Sequence, residues 1–307
     1  MKNNCRLCPR ECGIDRQNGK TGFCGCGDKA LVSRVSLHKW EEPPISGERG
    51  SGTIFFAGCS LRCVFCQNKS ISREASGREF SPEKLAEAIL ALEEAGAHNV
   101  NLVTPTHFLN TVVKALELTK PRLSIPVVYN CGGYEKTDSL KMLEGLVDIY
   151  LPDLKYYSPE LSARYSSAPD YFAVASTAIA EMYRQTGKVV LQNDLMKRGV
   201  IVRHLVLPGC RRDSITLLQK LAETVPTGDI KLSLMRQFTP DFVSKADYPE
   251  LCRRLTSFEY ESVLREADRL GFTGYSQSPE SATSDFTPGF NTEEAFSILT
   301  SRGRNTK

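Results

Sequence analysis

From Ile54 to Leu270 the chain alternates short apolar runs with longer stretches whose apolar residues recur every three to four positions. Runs of four to eight apolar residues predict buried strands, and the longer recurrence predicts amphipathic helices. Strands are expected at 54–57, 99–103, 125–129, 147–151, 200–207 and 230–234, with a looser one at 31–37. Helices are expected between them, near 82–95, 110–120, 139–145, 170–186, 212–224 and 258–270. Ser81-Pro82-Glu83 marks one start, with a cap, a proline at the first helical position and an acidic first turn. Such alternation implies parallel strands joined by right-handed helical crossovers. The expected fold is α/β, a partial (β/α)6 TIM-like barrel spanning 49–275. A cysteine-rich extension, 1–48, precedes it, and a Ser/Thr/Pro-rich tail with one helical patch at 293–299 follows over 276–307.

In α/β barrels the chemistry gathers at the C-terminal ends of the strands, where loops converge on one mouth. The polar residues here fall at those ends. The second strand runs into Thr104-Pro105-Thr106-His107, the third into Asn130-Cys131-Gly132-Gly133-Tyr134 and the fourth into Pro152-Asp153-Leu154-Lys155. The fifth carries Arg203-His204 and the sixth ends in Arg236-Gln237-Phe238. Asp153 and Lys155 are two apart and so share a face. Arg203 in an apolar strand requires an anion, and a ligand carboxylate is a natural one. His107 and His204 read equally as ligand contacts or as satisfied buried groups. Cys131 before two glycines reads as room for a ligand's close approach. Glu41, Glu42 and His38, on a Pro/Gly-rich connector, read as a solvated loop, and Cys210 and Cys252 as structural.

The first strand ends differently. Gly58 breaks it, and Cys59, Cys63 and Cys66 follow at C-x3-C-x2-C spacing. Three soft thiolates on one loop suit three irons of a 4Fe-4S cluster and leave the fourth iron open, whereas a closed zinc site wants four ligands. A second set, Cys5, Cys8, Cys12 and Cys24 with Cys26 in reserve, lies among glycines near the N-terminus. Zinc and a second iron-sulfur cluster both accept four thiolates, and the spacing does not separate them. Eleven cysteines, odd in number and clustered, point to metal chemistry in the reducing cytoplasm rather than disulfides. Nothing resembles a signal peptide or an 18-residue apolar span, so no membrane partner is expected. A net charge of +3 without like-charged blocks gives no case for nucleic acid. Gly19-Lys20-Thr21 imitates a phosphate loop, but Ile14 stands where that motif needs glycine.

The stretch from Gly52 to Asn68 resembles the signature of the radical SAM superfamily, in which the residue before the third cysteine, here Phe65, is usually aromatic and lies against the adenine. Asp153-Leu154-Lys155, Arg203 to Gly209, the Glu41-Glu42-Pro43 connector and the N-terminal cysteines are similar to those of proteins related to the pyruvate formate-lyase activating enzyme. That resemblance implies a barrel of the radical SAM type, a 4Fe-4S cluster on Cys59, Cys63 and Cys66, and S-adenosylmethionine held by Asp153, Lys155 and Arg203. It sets Phe65 against the adenine, and Thr104, Thr106, His107 and Asn130 join the expected cofactor contacts by their place at the strand ends. It implies an electron donor such as flavodoxin or ferredoxin and leaves the target open. Activation of a glycyl radical enzyme, radical modification of a peptide or small molecule, and a non-catalytic metal-carrying interaction protein are the readings. At the second strand end Thr104-Pro105-Thr106 replaces the Gly-Gly-Glu motif common in that group.

Overall fold

A computed structural model describes residues 4–283 and 288–302. Among the described residues ten strands form one sheet: β1 (Ala30–His38), β2 (Ser51–Phe56), β3 (Arg78–Phe80), β4 (Val100–Val103), β5 (Val127–Cys131), β6 (Ile149–Pro152), β7 (Val190–Gln192), β8 (Leu195–Leu205), β9 (Lys231–Met235) and β10 (Thr273–Ser276). Their order is β10-β9-β8-β6-β5-β4-β2-β1-β3, with β7 paired to β8 off that path. From β2 to β10 the path is parallel throughout, and β1 and β3 flank it antiparallel. This is the partial TIM-like barrel that the alternation implied, extended by one strand. β10 reads Thr-Gly-Tyr-Ser and is mostly exposed, so it carries no apolar run by which to be found. β8 likewise begins before the expected 200, because its first half is a half-buried hairpin with β7.

The long crossover helices match the periodic stretches: Pro82–Glu94, Leu109–Thr119, Tyr171–Thr186, Arg211–Thr224 and Ser257–Arg269. Ser81 caps the first by accepting from the Lys84 amide, and Thr256 and Glu259 form a reciprocal capping box on the last. The helix Pro159–Ser166 begins with the same signals, Ser158 as cap and proline next, which the sequence reading passed over.

Inside the barrel, the short helix Pro43–Ser46 acts as a plug. Ile45 packs with Val128, Ile149, Leu151, Met196 and Ile201, and Asn99 Nδ2 holds its carbonyl at 2.7 Å. The plug carries its own connector inward. Glu41 and Glu42, expected in solvent, are buried, the Glu41 side chain only 10% exposed against Arg203. Adjacent residues on a strand do face opposite ways, but these two precede a helical turn that tucks under the lumen, and the turn overrides the alternation.

The N-terminal segment lies over the mouth. Arg10 donates to the carbonyls of Ser60, Ser166 and Ser167, and Arg16 to those of Gly27 and His107. The tail runs beside β1 and β3 rather than beneath the barrel: Arg34 Nη1 donates to the Gly289 carbonyl at 2.6 Å, and Phe290 and Phe296 pack on Phe55 and Phe80. Its helical patch is a turn at Glu294–Phe296 leading into Ser297–Arg302. Positions 284–287 and 303–307 of the expected tail lie outside the described residues.

Candidate cofactor cleft

β2 is buried along its whole length, and the chain leaves it through Gly58 at φ +80°. Only glycine fits there: a Cβ would stand 2.3 Å from Cys26 Sγ and 2.6 Å from the Cys24 carbonyl. The N-terminal segment therefore packs directly on the turn that presents Cys59, Cys63 and Cys66. Cys63 Sγ accepts from Ser166 Oγ at 2.9 Å, Cys66 Sγ from Ser72 Oγ at 3.6 Å, and Cys59 Sγ from the Leu61 amide at 3.4 Å. Burial pushes the Cys59 thiol up to about 12 and raises Cys66, and the Cys63 sulfur beside each adds to it.

Cys63, Phe65, Cys66, Asp153, Lys155 and Arg203 line one cleft of about 190 Å3, whose far wall is Leu205, Met235, Gln237, Phe238 and Thr239. Phe65 is wedged edge-on between Tyr156 and Phe238. Asp153 bridges two cations: Oδ2 takes Lys155 Nζ at 2.5 Å and Oδ1 takes Arg203 Nε at 2.8 Å. Burial opposes the Asp153 charge, but the two cations outweigh it and hold its carboxyl below the ordinary value. Arg203 also donates to Asn130 Oδ1 at 2.6 Å and to Glu41 Oε2 at 3.4 Å. The anion that Arg203 was expected to find in a ligand is thus supplied by the chain itself.

Not all expected residues meet there. Thr104 turns the chain at φ +60°, and its amide donates to the Asn130 carbonyl. Thr106 donates to Glu135, and His107 Nε2 to the Ala57 carbonyl at 2.7 Å; none of the three lines the cleft. His204 donates from Nδ1 to the Leu154 carbonyl at 2.7 Å. Burial lowers both imidazoles to about 4. The glycines after Cys131 make room for the protein rather than a ligand: a Cβ on Gly133 would meet the Asp153 carbonyl at 2.1 Å, and one on Gly132 would meet Leu61 at 2.8 Å.

A family model of the radical SAM superfamily matches residues 53–209, just over half of the chain. The chain belongs to the radical SAM superfamily. An uncharacterized protein of Methanocaldococcus jannaschii, MJ0674, is 30% identical over 281 residues, covering 87% of this chain and 75% of that one. Among solved structures, a spore photoproduct lyase variant aligns with a TM-score of 0.50 at 12% identity, over 72% of this chain and 74% of its own. Methylornithine synthase (PylB) aligns with 0.49 at 16% identity, over 79% and 75%. These matches reach the superfamily and not the narrower activating-enzyme group.

The superfamily implies a 4Fe-4S cluster and S-adenosylmethionine, and the cysteine loop of this radical SAM protein fits the former. Its three thiols share one short loop, Cys63 lies in electrostatic reach of both others, and hydroxyl donors aim at two sulfurs, as outer-shell partners of iron-bound thiolates do. The N-terminal set is less complete. Cys8 lies in reach of Cys5 and Cys24, and Cys24 pairs with Cys26, but Cys12 is exposed beside Gly22. Among the described residues no three Cys, His, Asp or Glu side chains converge at single-ion distance, and no helix is long and apolar enough to cross a membrane.

Glu135 escaped the sequence reading because it stands past the third strand end, after two glycines and a tyrosine. It is buried, accepting from Thr106 Oγ1 at 2.7 Å and Tyr129 OH at 3.2 Å. Burial pushes its carboxyl from 4.5 up to about 7. A carboxyl raised on folding keeps its proton in the folded state while the unfolded chain loses it, so stability falls as pH rises from 4.5 toward 7. The expected loss is about 3 kcal/mol. Glu135→Gln removes that slope, which urea unfolding at acidic and neutral pH will show as a flatter profile than the wild type's.

Proposed function

We propose that this protein cleaves S-adenosylmethionine reductively and uses the product radical to take a hydrogen atom from a further molecule. The observation that carries the reading is the convergence of the cysteine loop with the Lys155-Asp153-Arg203 relay on one cleft. Cys59, Cys63 and Cys66 hold the cluster, which when bound with S-adenosylmethionine supplies one-electron cleavage of a carbon-sulfur bond and a 5'-deoxyadenosyl radical. Phe65, pinned by Tyr156 and Phe238, offers the adenine a face, and Lys155 offers a carboxylate a cation. Asp153 fixes Lys155 and Arg203 in one geometry, so neither reorganises when the cofactor arrives. The buried walls exclude water from the radical. A donor of flavodoxin or ferredoxin type supplies the electron.

The test is anaerobic reconstitution with iron and sulfide, reduction, and assay for 5'-deoxyadenosine. Release of that product supports the reading, and a reconstituted, reduced protein that leaves S-adenosylmethionine intact overturns it. Iron analysis of the same sample decides the N-terminal cysteines: about four irons mean one cluster, and about eight mean two.

A further inference from the structure

The N-terminal segment grips the cysteine loop through one side chain above all. Cys8-Pro9-Arg10-Glu11 is a tight turn, closed by the Glu11 amide on the Cys8 carbonyl at 3.0 Å, with proline in its second position. Arg10 stands third. Its Nε donates to the Ser60 carbonyl at 2.8 Å, its Nη2 to the Ser166 carbonyl at 2.8 Å and its Nη1 to the Ser167 carbonyl. The guanidinium carbon lies 4.0 Å from the centre of the Phe23 ring and 5.3 Å from that of Tyr134, so two rings hold it in place.

The three acceptors belong to two segments that bear on the same sulfurs. Ser60 directly follows Cys59. Ser166 and Ser167 stand at the C-terminal end of the helix Pro159–Ser166, where the last carbonyls lack partners within the helix and carry the negative end of its dipole. That same helix end takes the Val64 amide on the Tyr165 carbonyl at 2.9 Å and lends the Ser166 hydroxyl to Cys63 Sγ at 2.9 Å. A planar guanidinium can serve three carbonyls on two segments at once, and a single ammonium cannot hold them in that geometry. All three acceptors are neutral, so none of them cancels the charge of Arg10. We infer that Arg10 is a positioning residue for the cluster on Cys59, Cys63 and Cys66. It clamps the cysteine loop to the helix end so that the Ser166 hydroxyl stays on Cys63, and its positive charge favours the reduced cluster, which carries one more negative charge than the oxidised one.

The inference rests on the cluster that the proposed reaction needs and not on the reaction, so its test reads the cluster. Anaerobically reconstituted protein is followed by the electron paramagnetic signal that Cys63→Ala abolishes, during a potential titration, and by the rate at which a chelator removes iron. In Arg10→Gln the ratio of reduced to oxidised cluster at a fixed potential falls about threefold, a shift of about 28 mV, and iron leaves at least about threefold faster. Arg10→Lys keeps the charge with one nitrogen in place of three, so it regains the potential but not the slow release. Lys136→Gln loosens the same segment by freeing Glu11 from its ion pair, and it changes neither reading. Because Arg10 acts through Ser166, adding Ser166→Ala to Arg10→Gln speeds release by less than the product of the two single effects. An unmoved potential or release rate in Arg10→Gln, an equal change in Lys136→Gln, or effects that multiply overturns the role. If Arg10→Gln takes up no cluster, Arg10→Lys decides, and release as slow as the wild type's overturns it. Assay of the same samples for 5'-deoxyadenosine judges the reaction separately: product with an unmoved cluster removes Arg10 and leaves the chemistry, and a shifted cluster without product in the wild type does the reverse.

Discussion

Cys63→Ala brings 5'-deoxyadenosine formation down to background and lowers bound iron, while the protein stays folded. Cys63 is the middle ligand of the loop and the most buried of the three. Its loss leaves two thiolates, Cys59 and Cys66, where the signature supplies three, and two anchors on one loop do not retain a cube of four irons. The folding cost is small, about 1 kcal/mol, because the side chain loses one atom beside Ser166. Ser166→Ala grades the effect. It removes only the hydroxyl that donates to Cys63 Sγ at 2.9 Å, and loss of such an outer-shell donor costs about ten- to a hundredfold in metal affinity or activity. Cys252→Ser is the control, since Cys252 is half-buried with its Sγ on the Tyr248 carbonyl and does not line the cleft. A Cys63→Ala protein that retains iron and product, or a Cys252→Ser protein that loses both, removes the assignment of the cluster to this loop.

The barrel was legible in the sequence because its parallel strands are buried on both faces and mostly apolar, and the strand ends were legible because the apolar runs stop abruptly at polar residues. Asp153 and Lys155 were found by their spacing, and they do share a face and a hydrogen bond. Arg203 was found as a charge in an apolar strand, but its partners were not, since Asn130 and Glu41 lie 73 and 162 positions away. No local pattern carries that information. Glu41 and Glu42 were misread for a related reason. A Pro/Gly-rich connector is ordinarily a solvated one, and only the plug formed by Ile45 turns it into the lumen. β10 was invisible because an exposed edge strand needs no apolar alternation.

Arg203→Leu destabilises the fold by about 3–5 kcal/mol, and the loss depends on pH. Leucine fills similar space, so the cost comes from the charges left behind. Asp153 keeps Lys155 but loses the stronger cation, and Glu41 loses its cation and keeps only neutral partners and the neighbouring Glu42. In the wild type the Asp153 carboxyl is held low, so its contribution is present above the unfolded value and lost as pH falls through the folded one. In the wild type the Glu41 carboxyl already stands above its ordinary value because burial outweighs Arg203, and with Arg203 gone it rises further while the Asp153 carboxyl loses part of its depression. A raised carboxyl is stable when protonated at acidic pH and loses stability as pH increases, so the variant's profile falls more steeply toward neutral pH than the wild type's. The gap between the two proteins is therefore widest at neutral pH and narrows toward about pH 4, where the stranded carboxylates can take up protons. Urea unfolding at several pH values measures it directly. Adding Glu41→Gln to Arg203→Leu removes one stranded charge and recovers part of the neutral-pH loss, a coupling that two independent sites would not show. A gap below about 1 kcal/mol that ignores pH is what an exposed ion pair gives, and it would mean that water, not the barrel, surrounds this relay.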